Sequence, residues 1–216
     1  MAKFPEPPPA ATLAALGPEI ATLPAGTPLA RIFFRGGDHP VGWNDFRFWG
    51  PGSGRFDPHL PDALGAPQVQ ARGILYAAGS AAPGALAVCA AEVFQETRII
   101  DLTGRAPWFA VFALARPLTL LDLTGPWPTR AGASAAIASG PKARARRWSR
   151  AFYEAFPAID GLLYPSSMGG NAPVMALYER ARPALPDSPD FHRALADPAL
   201  RVPVLRAAAV IGYLVA

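Results

Sequence analysis

The stretch Ser80–Glu96, SAAPGALAVCAAEVFQE, is a run of small and apolar residues with one carboxylate, Glu92, well inside it and a second, Glu96, at its end. Read as a helix, it can be capped by Ser80, with Pro83 in the first turn and Ala and Leu filling the body. Cys89, Val88 and Ala85 precede Glu92 by three, four and seven residues, so the helical repeat sets Glu92 on their apolar face, while Glu96 falls at the polar end. An ionised group on such a face is costly unless it is paired or faces a cavity. It marks either a site or a glutamate bonded to a core arginine for structure alone, and the helix pattern by itself does not choose.

The flanking text decides the fold class. Upstream, LARIFF (29–34) and GILYAA (73–78) read as strands, the first holding Arg31 between apolar neighbours and the second delivering Tyr76 shortly before the helix. Downstream, RIIDLT, WFAVFALA and LTLLDLT are three strand-like segments parted by turns at Gly104–Pro107 and Arg116–Pro117. KARARRWSRAFYEAF (142–156) predicts an amphipathic helix with Trp148, Phe152 and Phe156 one above the other. DGLLYPSSMGGNAPVMALYER (160–180) predicts strand, turn and strand, with Ser166, Ser167, Gly169, Gly170 and Asn171 at the bend. A helix capped by Ser188, with Pro189 in its first position, opens a C-terminal helical segment over 188–216. Residues 1–28 are rich in proline and predict an extended arm with one short helix near Thr12–Leu16. Between Arg35 and His59 the text has little period, which is long for a loop without a task. Short strands interspersed with helices predict an α+β fold, one domain over 29–216 behind the arm.

Composition bounds the function. At 216 residues with 51% hydrophobic content the chain can bury its own core, and a net charge of +4 suits an anionic small molecule without demanding nucleic acid. One cysteine excludes an internal disulfide, and three scattered histidines beside it make a poor zinc set, so no metal is expected. No apolar run is long enough to span a membrane and the N-terminus has no apolar leader core, so the expectation is a cytoplasmic protein.

The polar residues that fall on apolar strands, or at their ends, are Arg31, Arg55, Tyr76, Glu92 and Ser166. Taken singly, each has an ordinary structural reading as an edge arginine, a core tyrosine or a turn serine. Several catalytic scaffolds are missing: there is no GxSxG elbow, no Walker loop and no HExxH, and GPGSGR (50–55) runs into Phe-Asp-Pro rather than a helix.

LARIF (29–33), GRFDP (54–58), GILYAA (73–78), AAEVF (90–94) and DGLLYPSS (160–167) followed by GGN (169–171) resemble, in order and spacing, the RES-domain family. These are bacterial toxins of toxin–antitoxin pairs, named for an Arg, a Glu and a Ser, and the resemblance spans about residues 28–180. It implies an ADP-ribosyltransferase-like fold of mixed sheets flanked by helices. It implies an enzyme that consumes NAD⁺ as substrate, without a prosthetic group, by hydrolysis or phosphorolysis of the nicotinamide–ribose bond, and an Xre-type antitoxin partner that plugs the site. By motif, the family arginine falls on Arg31, the second on Arg55, the tyrosine on Tyr76, the glutamate on Glu92 and the serine on Ser166. Arg31 and Arg55 would clamp the diphosphate, Tyr76 would stack on nicotinamide or position its ribose, and Glu92 would stabilise the oxocarbenium-like charge. Ser166 would orient the substrate or the Glu92 carboxylate. Two departures stand out: the commoner Gly-Arg-Trp is here Gly54-Arg55-Phe56, and Ser167 duplicates the serine. The segment Arg35–Ser53, with Trp43 and Trp49, resembles one branch of the family and is a candidate lid. Two rivals remain: ADP-ribosyl transfer to a specific protein, and a non-catalytic module using the basic 142–150 face on nucleic acid. The latter predicts binding that falls steeply with salt.

Overall fold

The computed structural model describes residues 4–79 and 84–216. In chain order it contains α1 (Ala10–Leu16), β1 (Ile20–Leu23), β2 (Pro28–Phe34), β3 (Arg47–Gly50), β4 (Gln68–Gly79) and α2 (Ala85–Val93). There follow β5 (Ile99–Ile100), β6 (Pro107–Ala113), β7 (Leu118–Asp122), α3 (Trp127–Arg130), α4 (Ala136–Ser139) and α5 (Lys142–Ala155). The chain then forms β8 (Gly161–Pro165), β9 (Pro173–Tyr178), β10 (Phe191–Ala194), α6 (Arg201–Ile211) and β11 (Leu214–Val215).

Among the described residues nine strands form one sheet in the order β1-β7-β8-β9-β4-β2-β6-β10, with β3 attached to β4. The β7–β8 pair is parallel and the other pairs of this sheet are antiparallel, so the sheet is mixed. Strand alternation divides the core in two. Leu29 and Phe33 of β2, Leu75 and Ala77 of β4, and Leu118 and Leu120 of β7 pack on one face. Ala30, Ile32, Ile74 and Ala78 pack on the other, beneath α2, α5 and α6. The fold is α+β in a single domain, as the pattern of strands and helices predicts.

The feature that makes room for a site is a fork in the sheet. One edge of β4 is paired with β9 from Ile74 to Ala78. The other edge is shared: β2 meets it only at Leu29 and Ala30, opposite Gly79 and Ala78, while β3 takes the opposite end, from Arg47 opposite Ile74 to Gly50 opposite Gln68. Beyond Ala30, β2 leaves β4 and continues on β6 as far as Phe34. Arg31 is therefore the first residue past the fork.

Most elements lie where the sequence pattern puts them. The helix α5 covers the predicted span, and Trp148 and Phe152 are fully buried with ring centroids 5.6 Å apart. The β8–β9 turn has Gly170 and Asn171 both at φ 64, which explains a Gly-Asn pair there. Two readings change, and a third cannot be followed. No helix begins at Ser188: the Ser-Pro pair lies in an irregular connection, and Phe191–Ala194 form β10, an edge strand antiparallel to β6. Phe191 approaches Phe109 there, and His192 packs between Phe33 and Trp108 at 5.5 and 4.7 Å. Apolar and aromatic contact along an open edge of β6 outweighs a local cap signal. The proline-rich N-terminus has the expected short helix, α1, but is more than an extended arm: β1 pairs with β7, Leu13 is buried, and Trp127 Nε1 donates to the Gly17 carbonyl at 2.8 Å. Finally, α2 is preceded by Gly84, and the expected cap Ser80 and first-turn Pro83 lie outside the described residues.

Candidate active site

A cavity of about 620 Å³ opens at the fork. Its wall includes Arg31 from β2, Arg47 from β3, Tyr76 from β4, Glu92 from α2, Arg55 from the loop after β3, and Tyr164 from β8. Four of the five residues singled out by motif thus line one space, although they are separated by up to 61 positions in sequence.

The fifth, Ser166, stands behind the wall. It is fully buried, and its Oγ donates to Glu92 Oε1 at 2.5 Å while accepting the Gly169 amide at 2.7 Å and the Met168 amide at 3.3 Å. The tight turn supplies those amides, since Ser166 N bonds the Ala172 carbonyl and Asn171 N the Ser166 carbonyl. With its lone pairs taken by backbone donors, the hydroxyl has its proton directed at the carboxylate. Of the two adjacent serines, Ser166 is therefore the one bonded to Glu92, and Ser167 lies on the cavity wall.

The helix that carries Glu92 is held from within. Ala87, Val88, Cys89, Ala90 and Ala91 are all buried, so α2 is embedded along its length and Glu92 sits at its cavity end, half-buried. Cys89 Sγ lies 3.4 Å from the Ala30 carbonyl, and burial pushes its thiol up to about 12, which makes it packing and not a nucleophile.

The two arginines are held differently. Arg31 lies on the Leu29 and Phe33 side of β2 and donates from Nη1 to the carbonyls of Trp43 and Asp45 at 3.1 and 3.3 Å. Its Nε is buried with no partner among the described residues. Burial pushes the guanidinium down to about 10, against the pull of Asp45, so it remains cationic at neutral pH. Arg31 is thus a half-buried cation of the cavity wall with one donor unused among the described residues. Arg55 donates to the Gly140 carbonyl at 2.5 Å; burial lowers its pKa, opposed by Tyr164 and Glu92.

Tyr76 is constrained more closely than its position in the sequence reveals. Its hydroxyl donates to Asp57 Oδ1 at 2.9 Å and accepts the Phe56 amide at 3.1 Å. Burial, reinforced by Asp57, raises its pKa well above the usual phenol value. The hydroxyl is thus engaged within the chain, while Tyr76 as a residue lines the cavity.

Several wall and support residues are not apparent in the sequence pattern. Asp57 is fully buried, and pairs with Arg47 Nη2 at 2.6 Å. Tyr164 is buried against Phe56, and burial and Glu92 raise its phenol well above the usual range. Arg105 and Lys142 complete the cationic part of the wall. Asp57 and Tyr164 lie inside the quoted segments GRFDP and DGLLYPSS, so the available signal was a carboxylate beside Arg55 and an aromatic two residues before Ser166. The 35–53 segment is partly ordered as β3; its Trp43 is buried 5.2 Å from Phe112, while Trp49 is exposed.

The basic face of α5 is already engaged within the chain. Arg144 and Arg147 pair with Glu6, Arg146 reaches the Gly54 carbonyl, and Arg150 donates to the His59 carbonyl at 2.8 Å. This face buttresses the N-terminus and the 54–59 loop, so these four arginines already have a part in the fold.

The fold and this site define a class that comparison with known proteins also finds. The RES domain model matches residues 28–203, and the chain belongs to the RES-domain family. In structure it is similar to a chain of the M. tuberculosis MbcT–MbcA toxin–antitoxin complex, with a TM-score of 0.54 and 16% identity over 85% of this chain and 92% of that one. None of the curated proteins matches it. Among the described residues no helix is long and apolar enough to cross a membrane.

Proposed function

We propose that the chain cleaves the nicotinamide–ribose bond of NAD⁺. The observation that carries this reading is Glu92, held by the buried Ser166 on the wall of a cavity that is also lined by Arg31, whose buried Nε has no partner among the described residues. The volume suits a bound dinucleotide. Arg31 and Arg55 grip the diphosphate, and the Tyr76 ring packs against the nicotinamide end. As the C1′–N bond breaks, its electron pair leaves with neutral nicotinamide. The fixed Glu92 carboxylate faces the positive charge that develops on the ribose, the kind of preorganised stabilisation that supplies much of an enzyme's rate. Water or inorganic phosphate then attacks C1′ and gives up a proton, yielding ADP-ribose or its 1″-phosphate. Neither a metal nor a prosthetic group takes part. Family membership and the toxin–antitoxin neighbour support a role as the toxin of such a pair, restrained by a partner protein that covers the cavity.

The test is NAD⁺ loss by the purified protein, with and without phosphate, beside Glu92→Gln. That variant keeps the size and hydrogen-bonding shape of the side chain, so loss of turnover by at least about a hundredfold with an unchanged melting curve is expected. A folded, active Glu92→Gln protein would sink the assignment. NAD⁺ loss that appears only with a macromolecule present, with label transferred to it, would favour ADP-ribosyl transfer instead.

A further inference from the structure

Asp57 is the one fully buried carboxylate among the described residues, and none of the chemistry above uses it. Its Oδ1 accepts from Arg47 Nη2 at 2.6 Å and from the Tyr76 hydroxyl at 2.9 Å, and its Oδ2 accepts the Gly52 amide at 2.7 Å. These three donors come from β3, from the loop that carries Arg55, and from β4, so one carboxylate joins three separate parts of the cavity wall. The space around it leaves no slack: a Cβ on Gly54 would stand 2.4 Å from Asp57 Oδ1 and 2.5 Å from the Tyr76 hydroxyl. The Phe56 amide closes the circuit by donating to that same hydroxyl.

We propose that Asp57 is a positioning residue for dinucleotide binding: it locks the Tyr76 ring and the 52–56 loop, and with the loop Arg55, in the geometry that receives the substrate. The proposal rests on the NAD⁺ reading of the cavity. A charged carboxylate suits the task because hydrogen bonds to it are short and strong, and because it is paired with Arg47 and so is not left as an isolated buried charge. Glu92 and Ser166 approach from α2 and the β8–β9 turn and share no bond with this network. The network should therefore govern how the substrate is held far more than how the bond is broken.

The experiment is Asp57→Asn, which preserves shape and removes the charge, studied beside Tyr76→Phe, which preserves the ring and removes the tie. Steady-state NAD⁺ kinetics and backbone amide exchange of the ligand-free protein are measured on both. The expected result is a KM raised about tenfold or more by Asp57→Asn, with kcat within about threefold, and a smaller rise in KM for Tyr76→Phe. Faster exchange is expected at the Gly52 amide in Asp57→Asn and at the Phe56 amide in both variants. Simple destabilisation would instead reduce the active fraction, lowering apparent kcat at constant KM. Unchanged KM together with wild-type exchange at Gly52 and Phe56 would overturn the proposal. Should the wild-type protein not consume NAD⁺, the function above fails by itself, and the claim that Asp57 locks this wall stands or falls on the exchange data.

Discussion

The hydroxyl of Ser166 illustrates how one residue can be buried for the sake of another. Among the described residues its only outward bond is to Glu92, and its oxygen is held by the Gly169 and Met168 amides. Ser166→Ala removes the group that aims the carboxylate and strips the buried Gly169 amide of its partner, at a cost of about 1–3 kcal/mol. Turnover of NAD⁺ should fall about tenfold or more while the KM stays near wild type, and the urea midpoint should drop in step with the lost bond; a wild-type kcat would show that Glu92 needs no orientation. At this scale the sequence was informative about Arg31, Glu92 and Ser166, because a polar group on an apolar strand, helix face or turn is conspicuous. It said little of Asp57, marked only by its place two residues after Arg55, and nothing of Arg47. Both sit in an aperiodic segment, where nothing local distinguishes a buried charge from a solvated one, and their pairing is visible only when the loop is folded against β4.

Among the elements, the hairpin made by β3 and the beginning of β4 shapes one side of the cavity and is tied to α5 by its connecting loop. His59 lies at that junction, fully buried, with Nε2 against the Arg47 carbonyl and Nδ1 without a partner among the described residues. Burial, and after it Arg47, holds its pKa below the ordinary 6.5, with Asp57 pulling the other way. The unfolded chain therefore binds a proton more readily than the folded one below about pH 6.5, so stability present at neutral pH is lost as the pH falls from there toward the folded value and then levels. The slope from one site is at most about 1.4 kcal/mol per pH unit. Urea midpoints at pH 7.5 and 5.5 should separate more for the wild type than for His59→Gln; equal separations would remove His59 as the cause. His192, whose pKa burial also lowers, contributes with the same sign in both proteins. Element types were legible where a period was long enough to recognise, as in α5, or where an apolar strand was bounded by turns, as in β2 and β8. β10 was misread because Ser-Pro opens helices and turns alike, and what selects between them is the open edge of β6, remote in sequence.

For the molecule as a whole, the N-terminal segment belongs to the fold. Phe4 and Leu13 are buried, β1 forms the sheet edge on β7, and Trp148 Nε1 donates to the Pro5 carbonyl at 2.9 Å. Deleting residues 1–25 should lower the melting temperature by about 10 °C or more, or leave the chain unable to fold, since several apolar side chains and a strand lose their cover. A deletion variant melting like the full chain would mark the segment as dispensable. Sheet order was the least legible property, because neighbours such as β4 and β9 or β2 and β6 are chosen by packing across the whole chain and not by any local signal. That order also bears on how the chain is made. The wall residues Arg31, Tyr76 and Glu92 emerge early during synthesis, but Ser166 follows β8, and the far edge of β4 waits for β9. Contacts so distant along the chain form slowly and late. A nascent chain still missing its last third therefore has the arginines and the glutamate of the cavity but lacks the serine and the strand that hold them in place. The ribosome that makes the protein finishes most of the chain before the cavity has all of its parts.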